Sequence, residues 1–133
     1  NRDHMELYAA AATVNLGQPA KGAQPLEGIY ASETYEDVKA EAAYHLGLRY
    51  MNAEPKDYKK AQEYLIKSVA IYPTELSCLT AGKSSIYVKD LENAKIYIER
   101  AAREFPIGER KIVDEARKLL LEVLKDLAKQ AEK

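Results

Sequence analysis

The chain has 133 residues, 47% hydrophobic and 31% charged, with 6 Gly and 5 Pro; this fits one domain with its own core and excludes a disordered or collagenous chain. Its 20 Lys and Arg nearly balance 21 Asp and Glu, a formal charge of -1, so no basic excess points to nucleic acid or an anionic membrane. Cys78 is the single cysteine, which excludes an internal disulfide framework, and no apolar run approaches the ~18 residues of a membrane span.

In chain order, the first segment opens on Asn1 rather than Met and has no charged-then-apolar leader. This predicts a processed chain or a piece of something longer, with "NRDH" a vector remnant and cytoplasmic residence the default expectation. "MELYAAAATVNLG" predicts a helix ending near Gly17. "GQPAKGAQPLEGIYAS" follows, rich in Gly and Pro and longer than most connections in a compact domain. Its Leu26, Ile29 and Tyr30 are apolar residues suited to docking on the domain. From there the apolar periodicity predicts helices over 35–52, 57–72, 75–88, 91–104 and 109–131. Thr34 with Asp37 has the form of a capping box at the start of the first. Ile112, Ala116, Leu119, Val123 and Leu127 form one stripe on the last helix, with Asp114/Lys118 and similar pairs elsewhere. That pattern suits a terminal capping helix; Leu120, Leu121 and Leu124 broaden it, and a dimer seam is the alternative.

A repeat runs through the middle. Ala43, Leu46, Gly47 and Tyr50 share a helical face, followed by Ala61, Leu65, Ser68 and Pro73. Cys78, Ala81, Gly82 and Ser85 repeat the first set, and Ala94, Ile98, Ala101 and Pro106 the second. Ala61 to Ala94 and Pro73 to Pro106 are both 33 residues, whereas Gly47 to Gly82 is 35. The first copy therefore has the longer helix-to-helix connection. A glycine inside a helix costs roughly 1 kcal/mol relative to alanine, so Gly47 and Gly82 are expected where paired helices approach closely, with Ala61 opposite Gly47. Pro73 and Pro106 lack an N–H and restrict the preceding residue, so each closes one pair before the next begins.

"YHLGLRY", "AQEYLIKSVAIYP" and "CLTAGKSSIYVKDLENAKIYIERAAREFP" together resemble the tetratricopeptide repeat, whose pattern is W-x2-L-G-x2-Y, A-x3-F and P over about 34 residues. Leu46, Gly47, Tyr50, Ala61 and Pro73 match in the first copy, and Gly82, Ala94, Ala101 and Pro106 in the second. Ala81 and Ser85 depart from the pattern, and neither copy has the tryptophan. "AAYHLGLRYMNAEPKDYKKAQEYLIKSVA" is also similar to the related Sel-one-like repeat, although Asn52, Ala53 and Glu54 replace the usual turn glycines. The resemblance covers about residues 40–106. It implies an all-α chain of two tandem helix pairs, about 40–73 and 75–106, within a region 34–106. A segment 1–33 precedes the region and a capping helix lies in 107–133.

The first helices of such arrays line a concave groove that binds peptides. Carried over by register, the groove would hold Tyr44, Leu48, Met51, Leu79, Lys83 and Ile86. On a helical wheel Tyr44, Leu48 and Met51 form a second apolar face beside the pair face. Glu41, His45, Arg49 and Asn52 make the polar stripe. Leu79 and Ile86 adjoin the inward face of the third helix, with Leu76 and Tyr87 further round. The same stripe equally suits a core face covered by residues 1–33 or by neighbouring helices. Some members clamp a chaperone's C-terminal carboxylate with lysine and asparagine; Tyr44 and Leu48 occupy the matching positions, which disfavours that ligand.

Nothing in the chain predicts catalysis. His4 and His45 have no ligand or nucleophile constellation, and Glu41 with His45 is the spacing of a solvated pair rather than a three- or four-ligand metal site. Cys78 takes a packed position and is expected to be a buried small hydrophobe. The ten tyrosines lack the basic track that single-stranded RNA requires, and Tyr58, Tyr64 and Tyr97 fall at repeat-helix positions where packing explains them. The expectation is a protein–protein interaction module without cofactor or metal, binding an apolar or amphipathic peptide in its groove. The alternative is a self-assembling structural subunit whose groove is filled by residues 17–33 or another copy.

Overall fold

The computed structural model describes residues 35–132. The expected helix before Gly17, the docking residues Leu26, Ile29 and Tyr30, His4 and Thr34 lie outside the described residues. Five helices and no strand occur among those described: α1 (Glu36–Asn52), α2 (Tyr58–Ile71), α3 (Glu75–Tyr87), α4 (Leu91–Arg103) and α5 (Arg110–Ala131). None is long and apolar enough to cross a membrane. The chain divides into two units between Pro73 and Thr74. In the first, α1 packs on α2; in the second, α3 packs on α4, α4 on α5, and α5 more lightly on α3.

Side-chain caps set the starts of the three middle helices. The Asp57 carboxylate accepts from the Lys60 N–H at 3.0 Å, and Asp90 accepts from the Asn93 N–H at 3.3 Å. Thr74 and Ser77 form a reciprocal capping box, each accepting the other's backbone N–H at 3.0 Å. Such caps are worth about 1 kcal/mol each. Helix α1 differs from expectation: Tyr35 stands at its N-cap without a side-chain cap bond. Asp37 accepts from the adjacent Val38 N–H at 2.9 Å. Glu36 and Asp37 still place negative charge at the positive helix end. Ahead of Pro73, Tyr72 is extended, with φ -155° and ψ 96°, as the proline ring requires of its predecessor.

Five residues, 53–57, join α1 to α2, and three, 88–90, join α3 to α4. The two-residue difference equals the difference between the 35- and 33-residue spacings. The short connection works because Lys89 adopts a left-handed conformation, φ 66°. Its N–H donates to the Ile86 carbonyl at 3.0 Å, and the Asp90 N–H reaches the Ser85 carbonyl at 2.8 Å. This is the Schellman closure, with lysine where glycine is usual.

The helices of each pair nearly touch. A Cβ on Gly47 would lie 2.5 Å from Leu65 Cγ and 3.2 Å from the Ala61 carbonyl oxygen. On Gly82 it would fall inside the Ile98 side chain and 3.2 Å from the Ile98 nitrogen. Leu65 and Ile98 are fully buried, a gain of about 1.5–3 kcal/mol each, and both stand four residues after the repeated alanines 61 and 94. Ser68 adds a buried tie between α2 and α1, its hydroxyl donating to the Ala40 carbonyl at 2.6 Å.

Helix α5 corrects the expected stripe. Ala116, Leu120 and Val123 are its buried residues, while Ile112, Leu119 and Leu127 are half-buried and Leu121 and Leu124 exposed. Packing mainly on α4 leaves room for a single seam at i, i+4 and i+7. Asp114 pairs with Arg110 and Arg117 instead of the expected Lys118. The start of α5 is tied from outside: its N-cap residue Glu109 makes no side-chain cap, and the Glu75 carboxylate of α3 accepts the Glu109 N–H at 3.2 Å.

Three substitutions test the packing and the short connection. Gly82→Ala gains about 1 kcal/mol of helix propensity but overpacks by about 1–3 kcal/mol, so urea unfolding should show a net loss. Combined with Ile98→Ala, the loss should be smaller than the sum of the two single losses; simple additivity contradicts the close approach. Lys89→Gly should raise stability by about 1 kcal/mol by removing left-handed strain, and an unchanged or lower midpoint contradicts that assignment.

Candidate functional site

The six residues assigned to the groove differ in exposure within their own units. Tyr44, Leu48 and Met51 of α1 are half-buried, as are Lys83 and Ile86 of α3. Leu79 is buried, 3% exposed. Helix α3 is buried over most of its length: Ser77 to Gly82, Ser84 and Ser85 are all out of solvent. Its hydroxyls are satisfied by their own helix, since Thr80 donates to the Leu76 carbonyl at 2.8 Å and Ser84 and Ser85 to that of Ala81 at 2.8 and 2.9 Å. A helix with short hydroxyl side chains can be buried in this way without unpaired groups. Lys83 is ion-paired with Glu115 of α5, so its ammonium is already engaged within the second unit.

The polar stripe of α1 is not uniformly solvated. Glu41 and Asn52 are exposed, but Arg49 and His45 are half-buried. His45 Nδ1 is buried with no hydrogen-bond partner among the described residues, and the ring meets Tyr44 edge-on at 5.5 Å. Burial lowers the His45 pKa below its ordinary 6.5, because the charged imidazolium loses its hydration. Arg49 instead covers an aromatic pair. Tyr50 stacks on Tyr64 of α2 with centroids 5.7 Å apart and planes 3° from parallel. The Arg49 guanidinium lies 4.5 Å and the Lys60 ammonium 4.9 Å from the Tyr50 ring centroid. This cluster explains Tyr50 and Tyr64 as packing residues whose faces hold cations.

Cys78 is wholly buried, and burial pushes its thiol up to about 11. At pH 7 roughly one molecule in 10,000 then carries the thiolate, by the pKa difference alone. No group of three His, Cys, Asp or Glu side chains among the described residues can hold a metal ion.

Sequence reasoning missed a set of residues in the second unit. The end of α4, residues 104–109 and the first turns of α5 form an open surface cavity of about 790 Å3 lined by Arg103, Arg110 and Arg117, among others. The signal was present as Arg110, Asp114, Arg117 and Leu121 at i, i+4, i+7 and i+11. Along α5 those positions look like an ordinary solvated face; the cavity appears only once the end of α4 and the turn after it bring Arg103 and Phe105 opposite.

The lowered His45 pKa has a definite consequence. The unfolded chain takes up the proton near pH 6.5 and the folded chain only at lower pH. The group therefore costs no stability above 6.5 and weakens the fold as pH falls from 6.5 through the folded value. An NMR titration of the imidazole should place the His45 midpoint below 6.5, and a midpoint at or above 6.5 contradicts its burial.

Compared with family models, with curated proteins and with solved structures, the chain finds no match.

Proposed function

We propose that the chain is a protein–protein interaction module of tetratricopeptide or Sel-one-like type that binds an apolar or amphipathic peptide segment through its first helices, α1 and α3. The observation that supports this reading is one packing device used twice: Gly47 against Leu65 in one helix pair, and Gly82 against Ile98 in the other. Repeated pairs of this kind serve as extended recognition surfaces in which short segments dock by apolar anchors. Tyr44, Leu48, Met51 and Ile86 are apolar and remain partly accessible, the combination an anchor contact needs. Lys83, on α3 with Ile86, supplies charge there, shared with Glu115. Leu79, being buried, serves packing in this reading. The second reading is a self-assembling subunit whose surface is closed by residues 17–33 or by another copy.

The deciding experiment captures partners from native lysate with the wild-type chain and with Leu48→Asp/Ile86→Asp. Circular dichroism verifies that the variant stays helical, and Leu48→Asp alone serves if the double variant unfolds. A protein retained by wild type and lost by the variant is the expected result. Identical captures, or none with either chain, end the adaptor reading. A mass that rises with concentration for wild type but not for the variant assigns these residues to self-assembly.

A further inference from the structure

The cavity of the second unit combines an apolar floor with a cationic rim. Phe105, Val113 and Leu120 contribute the floor, and Arg103, Arg110 and Arg117 the rim. Asp114 is the one carboxylate among its described lining residues, and two arginines share it. Arg110 Nε lies 3.7 Å and Arg117 Nη1 4.0 Å from its oxygens, too far for good hydrogen bonds. Arg103 pairs outside the cavity, with Glu99 at 3.3 Å. The three arginine side chains are 68%, 89% and 64% exposed respectively. Each guanidinium presents five N–H donors, so all three retain donors for an incoming acid. The lining thus carries two more cations than anions, in a chain whose formal charge is -1.

We propose that this cavity docks an acidic amphipathic segment of a partner protein. An apolar side chain of the segment enters against Phe105, Val113 and Leu120, and its flanking carboxylates meet Arg103, Arg110 and Arg117. Spacing selects this occupant over a small acid. Arg110 and Arg117 are seven residues apart, about 10 Å along α5, which matches carboxylates two turns apart on a facing helix. Asp114 already lies between them, near both, so two flanking carboxylates rather than one more between them match the donors that remain. The apolar floor selects it over a phosphate backbone, which brings no apolar group. Leu121, 63% exposed and in line with the arginines, extends the apolar contact, and a cavity of about 790 Å3 has room for several side chains. Arginine is among the residues enriched at interface hot spots, where a partner's docking excludes water from it. The site shares no residue with Tyr44, Leu48, Met51, Lys83 and Ile86, so it stands or falls independently of the peptide groove on α1 and α3.

The test is fluorescence anisotropy with a labelled synthetic helix of Leu-Glu-Glu-Leu-Leu-Glu-Glu heptads, titrated with the full chain. Saturable binding should weaken about tenfold when glutamine replaces glutamate in the probe, and about tenfold for Arg103→Glu/Arg117→Glu. It should also fall as salt rises from about 50 to about 500 mM. Because the substituted side chains are mostly exposed, the variant should keep its circular dichroism spectrum; if it unfolds, Arg117→Gln serves, with a smaller weakening. No binding of the acidic probe, or equal binding of the glutamine probe or by the variant, overturns the proposal. Binding of decanoate or of oligothymidylate but not the peptide reassigns the cavity to a small acid or a nucleic acid and overturns it likewise. A dimer that the arginine variant dissociates would assign the cavity to a second copy and equally overturn the proposal.

Discussion

The contact on which both helix pairs depend is the one between a missing side chain and a large one. At Gly47 and Gly82 the facing Leu65 and Ile98 occupy the volume a Cβ would need. Glycine's unfavourable helix propensity is offset because the close approach packs a fully buried aliphatic side chain against each glycine. The arrangement also fixes relative register. Sliding one helix by a turn would put Leu65 against a residue with a side chain and leave Gly47 beside a void. Small residues at 43, 61, 81, 94 and 101, all fully buried, keep the rest of each interface at the same separation.

Around that constraint the two units differ in what covers their outer faces. In the first, the Arg49 and Lys60 cations lie over the stacked tyrosines near the end of α1. In the second, α5 covers α4 along a single seam and leaves the arginine face and Leu121 in water. The three arginines of the second unit stand where α4 ends and α5 begins. The half-buried residues of α1 and α3 offer shape and apolar area with little free charge.

Among the described residues, helix existence and bounds were legible in the sequence to within a residue or two, because the punctuation is local. Asp57, Thr74 and Asp90 cap, prolines at 73 and 106 interrupt, and apolar spacing supplies the period. The two-residue difference between connections was legible too, as a difference between repeat spacings. What escaped depended on partners distant in sequence. The seam of α5 shifted from Leu119 to Leu120 because α4 covers only one line of it. His45 left the polar stripe because burial, unlike periodicity, is set by neighbouring elements. Lys89 in a left-handed turn carried no compositional signal at all, since glycine or asparagine is the residue one looks for there. The arginine cavity needed α4 and α5 to meet before its rim existed.

The unequal connections also decide where this chain can be lengthened. Asp90 has two duties at once: its N–H closes the end of α3 and its carboxylate opens α4, so an extra residue at 88–90 would disrupt one helix terminus or the other. Between Glu54 and Lys56 the side chains are exposed, and the flanking closures, Ala53 to Arg49 and Asp57 to Tyr50, are made by residues on either side. That tip is the natural place to graft a loop, a protease site or a reporter, because added length there costs only slowly growing loop entropy. The corresponding turn of the second pair has no such slack.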